Sequence, residues 1–163
     1  MKIIGVDPGT RVTGYGIISS SGSRYSSLCW GAIKTSSGAP IASRLKQIAD
    51  GLRALIDEHD PDCMALEESF FAKNAQSALK LGMARGAIML VAAEAGLPVH
   101  EYSPLLIKQA VVGYGRADKN QVKVMVKNIL SLKEDPAPLD ASDALATAIT
   151  HANHIPLLGK MTQ

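Results

Sequence analysis

Near residue 40 the spacing of apolar residues changes period, and this change most constrains the fold. Before it, "KIIGVD" is a short apolar run rich in β-branched residues, which predicts a buried strand. "GYGIISSS" and "RYSSLCWGAIKT" follow as a second and a third strand, joined across Ser-Gly-Ser at a turn. After it, in "PIASRLKQIADGLRALIDEHD", Ile41, Leu45, Ile48, Leu52, Leu55 and Ile56 recur mostly at three- and four-residue steps, the mark of an amphipathic helix. "DCMALEE" then predicts a fourth strand after the break at Asp60-Pro61-Asp62, a helix covers roughly 74–95, and "LPVHEYS" is a fifth strand. The rest reads as helices: a short one after Pro104, one from Asp118 to about Leu132, and one from about Pro138 to Ala152. This order predicts an α/β fold with a mixed five-stranded sheet, three antiparallel strands followed by parallel additions, flanked by helices.

At 163 residues the chain suits one domain with a substantial core, expected over 1–155 with a short tail at 156–163. Seventeen basic against fifteen acidic residues leave a net charge of +2, so this is no polycation. Any nucleic-acid surface must therefore gather its basic residues on one side. Cys29 and Cys63 are too few and too far apart for a disulfide framework or a zinc knuckle. They read as reduced thiols, in keeping with a cytoplasmic protein. The apolar run after Lys2 stops at Asp7, unlike a signal peptide, and "GAIMLVAAEAG" is short and carries Glu94, so it cannot span a bilayer.

Ten of the acidic residues belong to solvated helix faces, strand ends and turns, whereas five sit in apolar surroundings where an unpartnered carboxylate is costly. Asp7 ends strand one, Glu67 and Glu68 end strand four, and Asp140 and Asp143 lie in "LDASDALATAITHA". Residues three apart on a helix face the same way, so Asp140 and Asp143 project together. Strands one and four, if adjacent and parallel, end at the same sheet edge about 4.8 Å apart, where ligand sites of such sheets gather. Converging carboxylates repel one another unless cations lie between them, and such oxygen-rich sites suit Mg²⁺ or Mn²⁺. Two ions about 4 Å apart are the apparatus for in-line attack of water on a phosphodiester. Each residue also has an ordinary reading: Asp7 before Pro-Gly starts a turn, and Asp140 suits a helix N-terminus.

Four segments in order, "GVDPGTRVTGYGII", "ALEESFFAKNAQSALKLGMARGA", "IKQAVVGYGRADKNQVKVMV" and "LDASDALATAITHA", resemble the signature blocks of the RuvC family of Holliday junction resolvases, within the ribonuclease H-like superfamily. The likeness runs from Lys2 to about Asn153. It implies a homodimeric, metal-dependent endonuclease that resolves four-way DNA junctions by paired nicks in recombination and repair, alongside the RuvA–RuvB branch migration complex. It also implies that Asp7, Glu67, Asp140 and Asp143 bind Mg²⁺ (or Mn²⁺), two ions to a site. Glu67 is selected over Glu68 because the family's glutamate directly follows the aliphatic residue, here Leu66. Strand alternation agrees, since Glu67 shares a face with Ala65 and Cys63.

Lys108 and Lys119 match family lysines implicated in junction binding or catalysis. Lys119, in the first turn of a helix, is expected to offer both its cation and backbone N–H groups to a phosphate. Arg116, Lys73, Lys80, Arg85 and Arg11 are further phosphate candidates. Phe70 matches a family aromatic that meets bases near the junction, one of the pair in "SFF" being free to stack. "HANH" reads as histidines at a helix C-terminus, and "ALKLGMARGAIML", rich in small residues, as the helix that pairs two copies. "GVDPGTRVTGYG" also resembles the first phosphate loop of sugar kinases and actin-like ATPases, but no second loop follows it. A YqgF-type nuclease-like protein would share the fold, yet the 67–87 and 140–152 blocks fit RuvC better. In a non-catalytic DNA-binding module the carboxylates would only repel DNA.

Overall fold

The structure, a computed structural model, describes residues 1–68 and 74–161, with side chains through residue 155. Ten elements follow in the order β1 (Lys2–Asp7), β2 (Val12–Ser21), β3 (Arg24–Lys34), α1 (Ile41–His59), β4 (Cys63–Glu67), α2 (Ala75–Glu94), β5 (Val99–Tyr102), α3 (Pro104–Val112), α4 (Lys119–Ile129) and α5 (Leu139–Met161). The five strands form one sheet ordered β3-β2-β1-β4-β5. β1 pairs antiparallel with β2 and parallel with β4, and β5 extends the sheet parallel to β4. This is the expected mixed sheet.

Strand alternation divides the core in two. Ile4, Val6, Met64 and Leu66 pack with Ile48, Leu52 and Ile56 of α1 and Ala84, Ile88 and Val91 of α2. On the other face Ile3, Cys63 and Ala65 meet Leu145, Ala148 and Ile149 of α5, with α3 and α4 supporting. β1 is therefore buried on both faces, which its continuous apolar run anticipated.

Local chemistry sets the helix starts. Asn74 caps α2 by accepting from Ser77 N at 2.9 Å, and Ser103 caps α3 just before Pro104. Asp118 and Gln121 form a reciprocal capping box on α4. α5 reaches the sheet because the strands beneath it lack side chains at Gly5, Gly14 and Gly16. A Cβ on Gly5 would strike the Ala144 carbonyl, and one on Gly14 the Asp140 carbonyl. With Ala141, Ala144 and Ala148 on its inner face, α5 lies almost directly on the β1–β2 backbone. It also runs well past the expected end at Ala152, to Met161. Consequently His151 lies within the helix and not at its C-terminus: it is 2% exposed, its Nδ1 is 2.7 Å from the Tyr102 hydroxyl, and its ring stacks on His100.

Candidate metal centre

Register brings the first two carboxylates together. The β1–β4 ladder runs from Ile3 opposite Cys63 to Val6 opposite Leu66, so Asp7 and Glu67 stand one residue further on, at the same edge. Both follow the parity of Ile3, Ala65 and Cys63 and turn toward the α5 side, whereas Glu68 has the opposite parity. The Gly14 approach lowers the start of α5 onto this edge, adding Asp140 in its first turn and Asp143 one turn later.

The electrostatics show that these groups share one field. The Asp7 carboxyl is pushed up to about 8, first by burial and then by the negative charges of Glu67, Asp143 and Asp140. Glu67 rises to about 7, through burial and then Asp143, against the lowering pull of Lys119 and Lys108. The Lys119 ammonium, at the first residue of α4, bonds Asp143 Oδ2 at 3.0 Å, and that bond raises its own pKa. Glu67, Lys108, Lys119 and Asp143 line a cavity of about 120 Å³ floored by Ile107 and Val122. A larger cavity of about 190 Å³, between α1 and α2, holds none of the carboxylate set.

Among the described residues no three His, Cys, Asp or Glu side chains form a ready-made metal cage. The donor set nevertheless fits a hard divalent cation. All four groups offer oxygen only, and the burial and mutual repulsion that raise the Asp7 and Glu67 carboxyls are what a cation between them would offset.

The other predicted residues divide. Lys108 and Lys119 line the cavity, Arg116 is exposed on the loop before α4, Lys80 is exposed on α2, and Arg11 is exposed on the β1–β2 turn. Arg85 instead forms an ion pair with Glu101 beside β5, with only 14% of its side chain exposed. Phe70 and Lys73 lie outside the described residues. At the Lys119 helix start, Asp118 accepts from Gln121 N at 2.9 Å and places a carboxylate there, so one of the first-turn N–H groups is taken by the cap.

Comparison with known proteins agrees with the geometry. A family model described as crossover junction endodeoxyribonuclease RuvC matches residues 3–151. The chain belongs to the RuvC family. The RuvC of Geobacter sulfurreducens is 55% identical over 153 residues, covering 94% of this chain and 93% of that one. The Thermus thermophilus RuvC structure has a TM-score of 0.88 at 38% identity, with 96% of each chain covered. A T. thermophilus RuvC in complex with Holliday junction substrate also has a TM-score of 0.88, at 35% identity and 96% coverage of each chain. The ribonuclease H-like fold of RuvC accounts for the mixed five-stranded sheet and its flanking helices. Gly5 and Gly14, which seat that helix, escaped the sequence reading. Their signal was there, glycines in the middle of strands facing an alanine-rich helix.

Proposed function

We propose that this chain is a cytoplasmic crossover junction endodeoxyribonuclease, with residues 1–155 as its nuclease domain, that cuts four-way DNA junctions by symmetric paired nicks in recombination and repair. One observation carries the proposal: in a RuvC-family chain, Asp7 and Glu67 sit side by side at the sheet edge, in the field of Asp143. Asp7, Glu67, Asp140 and Asp143 would hold Mg²⁺, with Mn²⁺ as a substitute and two ions to a site. The chemistry the ions supply when bound is activation of water and neutralisation of the leaving oxygen.

The chain's own residues supply the rest. β1 and β4 fix two carboxylates on adjacent strands, so their separation depends on a hydrogen-bonded ladder and not on a loop. Lys119 offsets the charge of Asp143 before DNA arrives and, with Lys108, gives the cavity rim a positive edge for a phosphate. Arg116 and Lys80 are exposed cations that would extend the track, with Lys73 and Phe70 assigned to it on the family likeness alone. Arg85, engaged with Glu101, contributes to that surface only if the pair opens.

A two-fold junction calls for two sites, hence a homodimer. α2 supports this with an outward apolar stripe of Leu79, Met83 and Leu90, beside Gly82 and Gly86, which have open space above them. The RuvA–RuvB branch migration complex is the partner that family membership implies.

The test is incubation of a synthetic four-way junction and a matched linear duplex with and without Mg²⁺. Symmetric nicks in the junction alone, only with Mg²⁺, are expected. Asp143→Asn should lose cleavage by at least about a hundredfold while binding the junction as well or better, one negative charge having gone. Equal nicking of the linear duplex, or normal cleavage by Asp143→Asn, would refute the reading.

A further inference from the structure

The core stripe of α1 steps by four residues through Ile48, Leu52 and Ile56, all buried, and the same stripe continued backward lands on Arg44. Arg44 is itself only 7% exposed, and none of the ion pairs among the described residues includes it. A guanidinium without a carboxylate at a core-facing position is costly, and an aliphatic residue there would be cheaper for packing alone. Its bonds show what it does instead. Nη2 donates to the Thr10 carbonyl at 2.5 Å and Nε donates to the same oxygen at 3.1 Å. Nε also lies 3.1 Å from Thr35 Oγ1, and that hydroxyl donates to the Thr10 carbonyl at 2.6 Å.

Thr10 belongs to the turn that leaves Asp7. The carbonyls on either side of it are held as well: Gly9 accepts from the Thr13 hydroxyl at 2.7 Å, and Arg11 accepts from Thr35 N at 3.0 Å. Between Thr10 and Asp7 stand only Pro8, buried and with its φ fixed by the ring, and Gly9. A displacement of Thr10 is thus passed almost directly to the Asp7 backbone, which has no strand pairing beyond Gly14. We propose that Arg44 is a positioning residue of the nuclease site: it clamps the β1–β2 turn from behind and so sets the Asp7 carboxylate against Glu67. The inference rests on the metal-centre reading above. Lysine keeps the charge but cannot fork two N–H groups onto one carbonyl.

The test compares wild type, Arg44→Lys and Thr35→Val, the second removing only the hydroxyl that links the clamp. Four quantities are read: junction affinity in EDTA, the cleavage rate at saturating Mg²⁺, the Mg²⁺ concentration at half-maximal cleavage, and the Mg²⁺ concentration at half-maximal rise in Tm. Expected for Arg44→Lys are junction affinity within about twofold of wild type, cleavage about 10- to 100-fold slower at saturating Mg²⁺, and both midpoints several-fold higher, the scale of a misplacement near one ångström. Thr35→Val should move the same way by less. A lower Tm in both variants with both midpoints unchanged would mean that Arg44 only holds α1 to the turn, and the proposal would fall. Wild-type protein that leaves the junction intact while its Tm still rises with Mg²⁺ would count against junction resolution alone. The Arg44 proposal would then be decided by the Tm midpoint.

Discussion

At the scale of single residues, Asp7 is the most strained group electrostatically. On the same strand parity as Gly5 and in the field of three other carboxylates, it is pushed up to about 8, and the Lys119 ammonium pulls it back down. Lys119 steadies Asp143, and in the proposed function it also meets DNA. Lys119→Ala should slow cleavage by about tenfold and reduce the slope of log affinity against log salt by about one. Junction titrations at several salt concentrations measure the slope, and an unchanged slope would remove Lys119 from the phosphate contacts. His151 supplies a second, separable effect. Its pKa is pushed down to about 4 by burial and by His100 and His154, so the unfolded chain takes up this proton more readily than the folded one. The stability it confers is complete above the ordinary histidine pKa and is lost as pH falls from about 6.5 toward 4. Asp7 and Glu67 slope the other way, so the measurement is a difference. The Tm gap between wild type and His151→Gln should hold from pH 7.5 to about 6.5 and shrink from there to pH 4.5, and a constant gap throughout would show that the histidine does not titrate on unfolding.

At the scale of elements, the site exists because α5 can lie directly on the β1–β2 hairpin. Gly14→Ala adds a methyl where the Asp140 carbonyl stands, so helix or strand must give way. The variant should lose roughly 1–3 kcal/mol of stability to urea and lose cleavage further than stability accounts for, because Asp140 and Asp143 move with the helix. Unchanged stability would mean that the close approach has slack. Most of this level was legible in advance: periodicity placed all ten elements, and alternation put Glu67 on the site's side. The helix ends were less legible. "THANHIPLLG" offers a proline where a helix is expected to stop, yet α5 continues to Met161. The capping box on α4 was also written in "DKNQ", as Asp118 followed three residues later by Gln121, and it changes what that helix end can offer a phosphate.

At the scale of the whole molecule, α2 leaves Leu79 and Leu90 about 60% exposed, an apolar ridge beside small residues. If two copies meet there, Leu79→Glu with Leu90→Glu should shift sedimentation from dimer to monomer and abolish coordinated double nicking. A protein that stays dimeric would move the interface elsewhere.

By itself the sequence determined the kind of chemistry and the frame that carries it. Periodicity depends on residue spacing, and five acidic residues in apolar surroundings are conspicuous because isolated buried charge is so costly. It could not determine which of these groups share a field or what holds them there. Those depend on contacts between residues far apart in the chain. The β1–β4 register aligns Asp7 with Glu67 across sixty residues, three glycines on β1 and β2 admit α5 to the sheet, and an arginine on a core-facing stripe ties down the turn beyond Asp7. Only the tertiary structure decides such matters, because a backbone ladder, a missing Cβ and a forked hydrogen bond acquire meaning from what lies opposite them.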